Sequence, residues 1–361
     1  MCSVSMLQLE IVEMTGEKLL KVSVVIPNYN YESFVGAAIE SALALDWPDV
    51  EIIVVDDGST DGSRQVIERY ADRVTPVFKA NGGPATACNA GYALATGDLI
   101  IFLDSDDLVD PSLIREVAAV LTPQTSKVQV QMQTVDAEAK PLGNVFPKYG
   151  AKPTPGQIRQ WAASAGSYPT PPGSGNVYTR RFLDQLFPLD LTMDRATDSY
   201  FLSTAPFLGE VVTIAKPLVS YRVHGKNIAA MASLNVSRFS NEVRRAVKRS
   251  AFSAGVAQRS GVTVRPQAFR GSLNVCALRA SSLALTPGDH PIEGDSRLKL
   301  IGDAVGAVLR PQGNSSAAQA VLFFWVLAIA ATPRALATRL IQWRYVPAAR
   351  PAFLKRAVAR V

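Results

Sequence analysis

Aspartate and asparagine residues cluster after three apolar runs of the sequence. The clusters are Pro27 to Asn30, Asp56 to Asp61, and Asp104-Ser105-Asp106-Asp107. Carboxylates at this density beside an apolar run repel one another unless a cation or a ligand neutralises them. Aspartates at positions i and i+2 after a strand can present oxygens to a hard divalent ion that also holds substrate phosphates. The third cluster therefore predicts a site for Mg²⁺ or Mn²⁺, whereas Asp110 is better explained as a helix cap.

Alternating strands and helices are predicted to position these residues. Apolar, β-branched runs predict strands at residues 22–27, 51–55, 74–78 and 99–103, and helical spacing predicts helices at residues 34–43, 63–70 and 86–95. A further helix is expected to begin at Asp110-Pro111. Repeated strand–helix–strand units indicate an α/β fold with a mostly parallel sheet and helices on both faces. Ligands of such sheets bind beyond the carboxyl ends of the strands, where the three clusters lie.

Two nucleotide-binding motifs are absent from the sequence. No GxGxxG follows the first predicted strand, and no GxxxxGK[ST] occurs. Their absence disfavours a dinucleotide-binding domain and a P-loop enzyme. We therefore expect any phosphate to be held through a metal ion instead of a glycine-rich cradle.

The remaining regions carry weaker patterns. Proline and glycine accumulate between residues 122 and 172, which predicts loops over the site, and residues 237–261 predict a basic helix. Cys2, Cys88 and Cys276 are far apart, which argues against a disulfide framework or zinc site and fits a reducing compartment. The N-terminal residues do not form a signal peptide pattern.

The C-terminal sequence is basic and partly apolar. No acidic residue follows Asp303, and residues 317–331 are apolar apart from Gln319. A basic tail favours a polyanionic partner, either a membrane surface or nucleic acid. A helix of this length falls short of the roughly 30 Å hydrocarbon core. Three alternatives follow in order: a helix at the membrane surface helped by Trp325 and Trp343, a buried core helix, and a transmembrane span.

Five stretches resemble the family 2 inverting glycosyltransferases, which transfer sugars from nucleotide diphosphates and have the GT-A fold. They are VSVVIPNYNYESFVGAAIESAL, EIIVVDDGSTDGS, NGGPATACNAGYALATGDLIIFLDSDD, ATDSYF and PLVSYRVHGKN, in the family's order and roughly its spacing. The resemblance covers about residues 21–227. It implies an N-terminal extension at residues 1–20, a GT-A catalytic domain at residues 21–230, and a helical C-terminal region at residues 231–361.

The resemblance also implies roles for residues at matching positions. The nucleotide site would comprise Pro27, Tyr29, Asn30, Asp57, Asn81 and Asp104. Asp57 would accept a hydrogen bond from a uracil ring, which favours a UDP-sugar donor. Asp104 and Asp106 would be the DxD pair, with Asp106 as the direct ligand of Mn²⁺ or Mg²⁺. His224 would be a further ligand to the metal or the diphosphate.

Asp198, in ATDSYF, lies where the family places its catalytic base. A single displacement at an anomeric carbon needs a base for the acceptor proton and positive charge near the departing diphosphate. It needs no protein nucleophile, so inversion is expected. The acceptor would be a glycan or lipid-linked hydroxyl at the cytoplasmic face of a membrane, as in polysaccharide or glycolipid synthesis. The sequence has no nucleic-acid recognition motif, so we expect no nucleic-acid partner.

Two residues depart from the family pattern. Cys88 stands where an arginine is usual, and Thr197 stands where a glutamate commonly precedes the base. No base partner can be named for Cys88 as a nucleophile. These departures leave an alternative open, in which the chain is a catalytically weakened nucleotide-sugar-binding protein or a membrane-docked scaffold.

Overall fold

The computed structural model describes residues 20–190, 198–224, 233–265, 267–310, 313 and 316–351. The chain divides into two compact units. The first comprises Met1–Gln133, Pro171–Thr197 and Lys216–Arg222, and the second comprises Thr134–Thr170, Asp198–Ala215 and Val223–Val361. The domain boundary expected at residue 230 stays a prediction.

Nine strands are present in the described residues. They are β1 (Val22–Asn28), β2 (Val50–Asp56), β3 (Thr75–Phe78), β4 (Leu99–Phe102), β5 (Leu108–Val109), β6 (Thr125–Val135), β7 (Pro141–Phe146), β8 (Asn176–Thr179) and β9 (Glu210–Arg222). The sheet has the order β3-β2-β1-β4-β8-β6-β9-β5. The four strands predicted from the sequence, β1 to β4, are parallel to one another. β1, β2 and β4 are continuous apolar runs because they are almost wholly buried. β8 is antiparallel to both β4 and β6, and β5 is antiparallel to β9.

Helices occur in both units. Those of the first unit are α1 (Val35–Leu43), α2 (Ser63–Glu68), α3 (Pro84–Leu94), α4 (Leu113–Ala118) and α6 (Arg180–Leu183). Those of the second unit are α5 (Pro155–Ala165), α7 (Asp198–Leu208), α8 (Ser237–Arg259), α9 (Leu273–Leu285), α10 (Arg297–Val308), α11 (Ser316–Ala331) and α12 (Arg334–Tyr345). The predicted basic helix at residues 237–261 is confirmed as α8.

The predicted start of α4 at Asp110-Pro111 is wrong by a few residues. The helix begins at Leu113, and Asp110 lies in the turn that precedes it. The Asp110 carboxylate accepts hydrogen bonds from the Ser112 backbone N–H (2.9 Å) and hydroxyl (2.6 Å). Asp110 therefore stabilises the turn that leads into the helix, as a local polar group and not as a site residue.

The prediction of loops between residues 122 and 172 is also wrong, because this segment contains β6, β7 and α5. β6 is buried over its first six residues, and Lys127 and Gln129 are among them, with Lys127 Nζ donating to Gln129 Oε1 at 3.2 Å. Such buried polar residues hide the apolar pattern of a strand. The proline read as a loop signal, Pro155, occupies the first turn of α5, where proline is well tolerated.

The core of the second unit is formed by its C-terminal helices. Leu273, Leu300 and Ile341 are buried there, together with Val326 and Ile329 of α11. One face of α11 therefore packs in a protein core. This matches, for that face, the second of the three alternatives given for residues 317–331, a buried core helix. Among the described residues, no helix combines the length and the hydropathy that crossing a bilayer requires.

A buried ionic network lies between the helices of the second unit. Arg279 is fully buried and binds Asp295 through two hydrogen bonds of 2.9 and 2.8 Å. Asp303 lies 2.8 Å from Arg279 and 3.0 Å from Arg270, and His290 Nε2 is 3.1 Å from Asp295. Burial opposes ionisation of Asp295, but hydrogen bonds from His290 and Arg279 hold its pKa well below the usual range. Each buried charge in this network therefore depends on its partner.

We expect Asp295→Asn to lower the free energy of unfolding by about 3 kcal/mol at pH 7, because the buried Arg279 would lose the charge of the buried Asp295 and keep that of the partly exposed Asp303. The pKa of Asp295 is lower in the folded than in the unfolded chain. Its stabilising contribution is therefore complete above about pH 4 and is lost as the pH falls through the folded value. Urea unfolding should show a constant difference from wild type between pH 6 and 8 and a smaller one in acid.

The control for this change is Asp46→Asn, since the Asp46–Arg115 pair is exposed to solvent and such pairs contribute little. Equal urea midpoints for Asp295→Asn and wild type at pH 7 would contradict the assigned role of the network.

Candidate active site

Three aspartates come together directly after β4. One carboxylate oxygen of each of Asp104, Asp106 and Asp107 lies within 4.8 Å of the others. Asp104 is exposed, Asp106 is half-buried and Asp107 is buried. The structure thus brings the predicted pair Asp104 and Asp106 together on the solvent side of the cluster. Asp107, which belongs to the predicted cluster but was given no role of its own, lies beneath them.

Asp107 holds the cluster in place. Its Oδ2 accepts a hydrogen bond from the Ser174 hydroxyl at 2.7 Å, and its Oδ1 accepts one from the Arg222 backbone N–H at 3.1 Å. Burial, followed by the charge of Asp106, raises the pKa of the Asp107 carboxyl well above its usual range. The Ser174 hydroxyl also accepts the N–H of Asp104 at 3.1 Å. Ser174 therefore ties both ends of the four-residue cluster to one side chain.

Arg222 supports the same turn from β9. Its Nε donates to the Asp106 carbonyl oxygen at 2.8 Å, and its guanidinium lies 5.2 Å from the centre of the Phe34 ring. Ser174 and Arg222 were not predicted from the sequence as site residues. Arg222 stands in the PLVSYR segment and could have been suspected from it, whereas Ser174 stands just beyond the predicted loops and gave no signal.

The negative charge of the aspartate cluster affects the pKa of two tyrosines. Burial and the charges of Asp106 and Asp104 raise the pKa of Tyr31 to about 12. Burial and the charges of Asp107 and Asp106 raise the pKa of Tyr221 to about 12. Both side chains are therefore neutral at physiological pH. A neutral phenol can donate a hydrogen bond to an anion without adding negative charge to the site.

The loops after β1 and β2 are tied to each other. Asn28 Nδ2 donates to Asp56 Oδ1 at 2.9 Å, and the Asn30 N–H donates to the Ser59 hydroxyl at 2.9 Å. The side-chain oxygen of Asn30 accepts the Thr60 N–H at 2.7 Å. Asn30 has a φ of 61°, a left-handed conformation that asparagine tolerates better than most residues. Next to this predicted residue, Pro27 is half-buried and Tyr29 is exposed.

Asp57 fastens the loop that joins β3 to α3. Its carboxylate accepts hydrogen bonds from Lys79 Nζ, from the Gly82 N–H at 3.0 Å and from the Gly83 N–H at 2.7 Å. Lys79 was not predicted from the sequence as a site residue. The predicted residue Asn81 is exposed in this loop. A nucleobase that bonds to Asp57, as the family resemblance implies, would meet a carboxylate that already accepts hydrogen bonds from the protein.

The remaining predicted residues lie elsewhere in the chain. Asp198 is half-buried in the first turn of α7, where a carboxylate is favoured by the helix dipole, and His224 follows the end of β9. Both belong to the second unit, and their roles stay predictions. Cys88 is a buried residue of α3. Cys2 and Thr197 lie outside the described residues.

Two curated relatives are similar to parts of this chain. The uncharacterized glycosyltransferase alr2836 of Nostoc sp. (strain PCC 7120) is 36% identical over 214 residues, which are 58% of this chain and 66% of that protein. Poly(ribitol-phosphate) beta-N-acetylglucosaminyltransferase TarS of Staphylococcus aureus is 31% identical over 130 residues, which are 34% of this chain and 23% of TarS. The chain thus covers less than two thirds of the length of either relative.

The chain is also similar to a solved structure and to a family profile. The crystal structure of S. aureus TarS 1–349 in complex with UDP-GlcNAc matches with a TM-score of 0.54 at 17% identity, covering 90% of this chain and 92% of that one. This likeness confirms the predicted α/β fold of GT-A type with a helical C-terminal region. Residues 23–187 match the profile described as Glycosyl transferase family 2. Residues 23–187 of the chain therefore form a domain of the glycosyl transferase family 2 type.

Proposed function

We propose that the chain is an enzyme that transfers a sugar from a UDP-sugar to an acceptor hydroxyl with inversion at the anomeric carbon. The observation that carries the proposal is the aspartate cluster after β4, inside a family 2 glycosyltransferase domain. The UDP donor is supported by the TarS complex with UDP-GlcNAc, a protein of the same fold. The acceptor would be a glycan or a lipid-linked hydroxyl.

The residues of the cluster fit a divalent cation. Carboxylate oxygens are the ligands that Mg²⁺ and Mn²⁺ prefer, and three of them converge here. Asp106 would be the direct ligand and Asp104 would lie nearer the ribose or sugar, with His224 as a further ligand. When bound, the cation would neutralise the negative charge of the departing diphosphate.

The protein's own groups would orient the substrates and accept the proton. Asp198 would take the proton of the acceptor hydroxyl as that oxygen attacks the anomeric carbon. Pro27, Tyr29, Asn30, Asp57 and Asn81 would form the nucleoside pocket. Tyr31 and Tyr221, which stay neutral beside the cluster, would donate hydrogen bonds to the diphosphate. One base and no protein nucleophile is the requirement of a single displacement.

A second candidate function is a nucleotide-sugar-binding scaffold with weakened catalysis. It is favoured by Cys88, which is buried and uncharged where the family usually has arginine. Metal-dependent hydrolysis of a UDP-sugar in the absence of acceptor separates the two, because a scaffold would bind the donor and leave it intact. In either case we place the chain at the cytoplasmic face of a membrane.

We expect UDP with Mn²⁺ to stabilise the protein in a thermal-shift titration, and GDP, CDP and dTDP to stabilise it less. Ligand at 100 times its dissociation constant adds about 2.7 kcal/mol to the free energy of unfolding. Asp106→Ala should lose the effect. Asp110→Ala is the matched control, because Asp110 is exposed and its carboxylate accepts hydrogen bonds from Ser112 in its own turn. If no nucleotide stabilises the wild type with any metal ion, the donor site is assigned wrongly.

Asp198→Asn should lower the rate of sugar transfer by about 10²–10⁴-fold, the usual contribution of a general base. The dissociation constant for UDP should stay at the wild-type value, because the proposed base contacts the acceptor. The two quantities are measured by product formation from radiolabelled donor and by calorimetry. Wild-type turnover in this variant would remove Asp198 from the role.

Ser174→Ala should weaken Mn²⁺ binding about tenfold, as expected when a group that orients metal ligands is removed. The hydroxyl bonds to both Asp107 and the backbone of Asp104, so its loss lets the cluster relax. Electron paramagnetic resonance of unbound Mn²⁺ measures the affinity. Ser112→Ala removes a comparable serine–aspartate bond outside the cluster and should leave it unchanged; equal losses in both variants would argue against positioning by Ser174.

A further inference from the structure

Positive charge is concentrated in the C-terminal third of the chain. Residues 231–361 contain 19 Lys and Arg against five Asp and Glu, whereas residues 1–230 contain 18 against 26. The net charge of +6 therefore hides a strongly basic helical region and an acidic remainder. A region of this kind attracts anionic surfaces through long-range electrostatics.

The same region exposes an apolar strip on two neighbouring helices. Leu298 of α10 is 82% exposed, and Leu309, at the end of this helix, is 77% exposed. Val305 lies between them on the same face, since the spacings of seven and four residues match the helical repeat. On α11, Val321 and Phe324 are 67% and 66% exposed. We call these five residues the α10–α11 strip.

The strip is unusual for a surface in contact with water. Eleven large apolar side chains are exposed in the described part of the chain, and five of them belong to these two packed helices. α11 has no charged residue, and only Val326, Ile329 and Ala330 of its 16 residues are buried. Exposed apolar side chains concentrated on two neighbouring helices are typical of sites of protein or membrane contact.

A polar cavity of about 170 Å³ lies beside the strip. Its lining includes Arg265, Arg270, Arg310 and Asp303. Asp303 is already paired with Arg270 and with the buried Arg279. Within the described ranges, no carboxylate forms an ion pair with Arg265 or Arg310. The volume is several times the roughly 30 Å³ that one water occupies, so the cavity has room for a phosphate group, and the two guanidiniums that line it are suited to bind one.

Three of the residues that line the cavity are glycines, whose lack of a side chain leaves space in it. A Cβ on Gly271 would lie 3.1 Å from Arg310 Nη1, so a side chain there would crowd this guanidinium. Gly302 and Gly306 of α10 also line the cavity. Position 302 is seven residues from Leu309 and so shares its helix face. The cavity and the α10–α11 strip are therefore adjacent sides of one helix.

We propose that this surface of the helical region binds an anionic phospholipid bilayer. The α10–α11 strip enters the boundary between headgroups and acyl chains, and the cavity of Arg265 and Arg310 holds a lipid phosphate. Apolar area together with basic charge is what peripheral membrane binding requires. The inference deepens the membrane location in the proposed function, but vesicle binding itself requires no sugar transfer.

The strip differs from the contact residues predicted from the sequence. Trp325 lies 6.1 Å from the ring of Tyr345 and 5.0 Å from the Arg344 guanidinium, within the helical unit. The neighbouring residue Phe324 is the exposed one. The aromatic side chain that reaches the membrane is therefore Phe324.

The test is co-sedimentation of the full chain with large unilamellar vesicles. We expect partition into vesicles of 70% phosphatidylcholine and 30% phosphatidylglycerol to exceed partition into pure phosphatidylcholine at least about tenfold. The double change Leu309→Gln and Phe324→Gln should lower the partition coefficient at least about tenfold. Arg310→Gln should lower it about fivefold, the effect of one basic residue at an anionic surface.

Matched controls are Leu142→Gln, an exposed leucine of β7, and Arg69→Gln, an exposed arginine of the first unit. Both should bind vesicles as wild type does. Wild-type protein that ignores anionic vesicles, or a double variant that binds them fully, overturns the proposal. A third result would also overturn it: light scattering shows a concentration-dependent dimer that the double change dissociates, while wild type binds no vesicles. The strip is then an interface between copies of the chain.

Inorganic phosphate distinguishes a lipid headgroup from a soluble ligand. If phosphate raises the melting temperature of wild type but not of Arg310→Gln, while both bind vesicles equally, the cavity serves soluble phosphate and its headgroup role fails. UDP with Mn²⁺ is titrated into every variant in parallel. Loss of vesicle binding with an intact UDP response concerns this surface alone, and loss of the UDP response with intact vesicle binding concerns the donor site alone.

Discussion

The buried carboxylate of Asp107 is the interaction on which the candidate site depends. It joins three distant parts of the chain: the turn after β4, Ser174 before β8, and Arg222 at the end of β9. Burying a carboxylate is costly, and here two hydrogen bonds offset the cost and fix its position. Asp104 and Asp106 are then held close together despite their mutual repulsion. Three carboxylates held this close repel one another, and a bound cation would offset that repulsion.

The second unit distributes its polar and apolar groups in an uncommon way. Its interior contains the fully buried guanidinium of Arg279 with Asp295, while Phe324 and Leu309 are exposed. Removing one partner of such a buried pair is strongly destabilising, because the other charge is left buried without compensation. Apolar side chains at the surface add no stability to an isolated unit in water. The core of this unit therefore supports its fold, and its surface is suited to a partner.

Much of the fold could be predicted from the sequence, because the strands of the parallel part are buried apolar runs with helical spacing between them. β6 could not be predicted, since its buried Lys127 and Gln129 break the apolar pattern. The pair Asp104 and Asp106 was visible because both residues lie in one short segment. Ser174 and Arg222 were not, because their contacts with the cluster join residues about 70 and 116 positions apart. Such pairings are decided by tertiary packing and not by local sequence.

The bonds of Asp57 carry a consequence for base selection. Lys79 and the backbone of Gly82 and Gly83 already occupy its carboxylate, so the loop acts as a resident ligand of this side chain. A nucleobase that bonded to Asp57 would share the carboxylate with these donors, and the free energy gained would be reduced by whatever hydrogen bonding the loop gives up. Discrimination among nucleobases would then depend on the free energy of moving the loop between β3 and α3 as well as on the fit of the nucleobase. Residues in the loop that never touch the nucleotide could thus change which nucleotide is accepted.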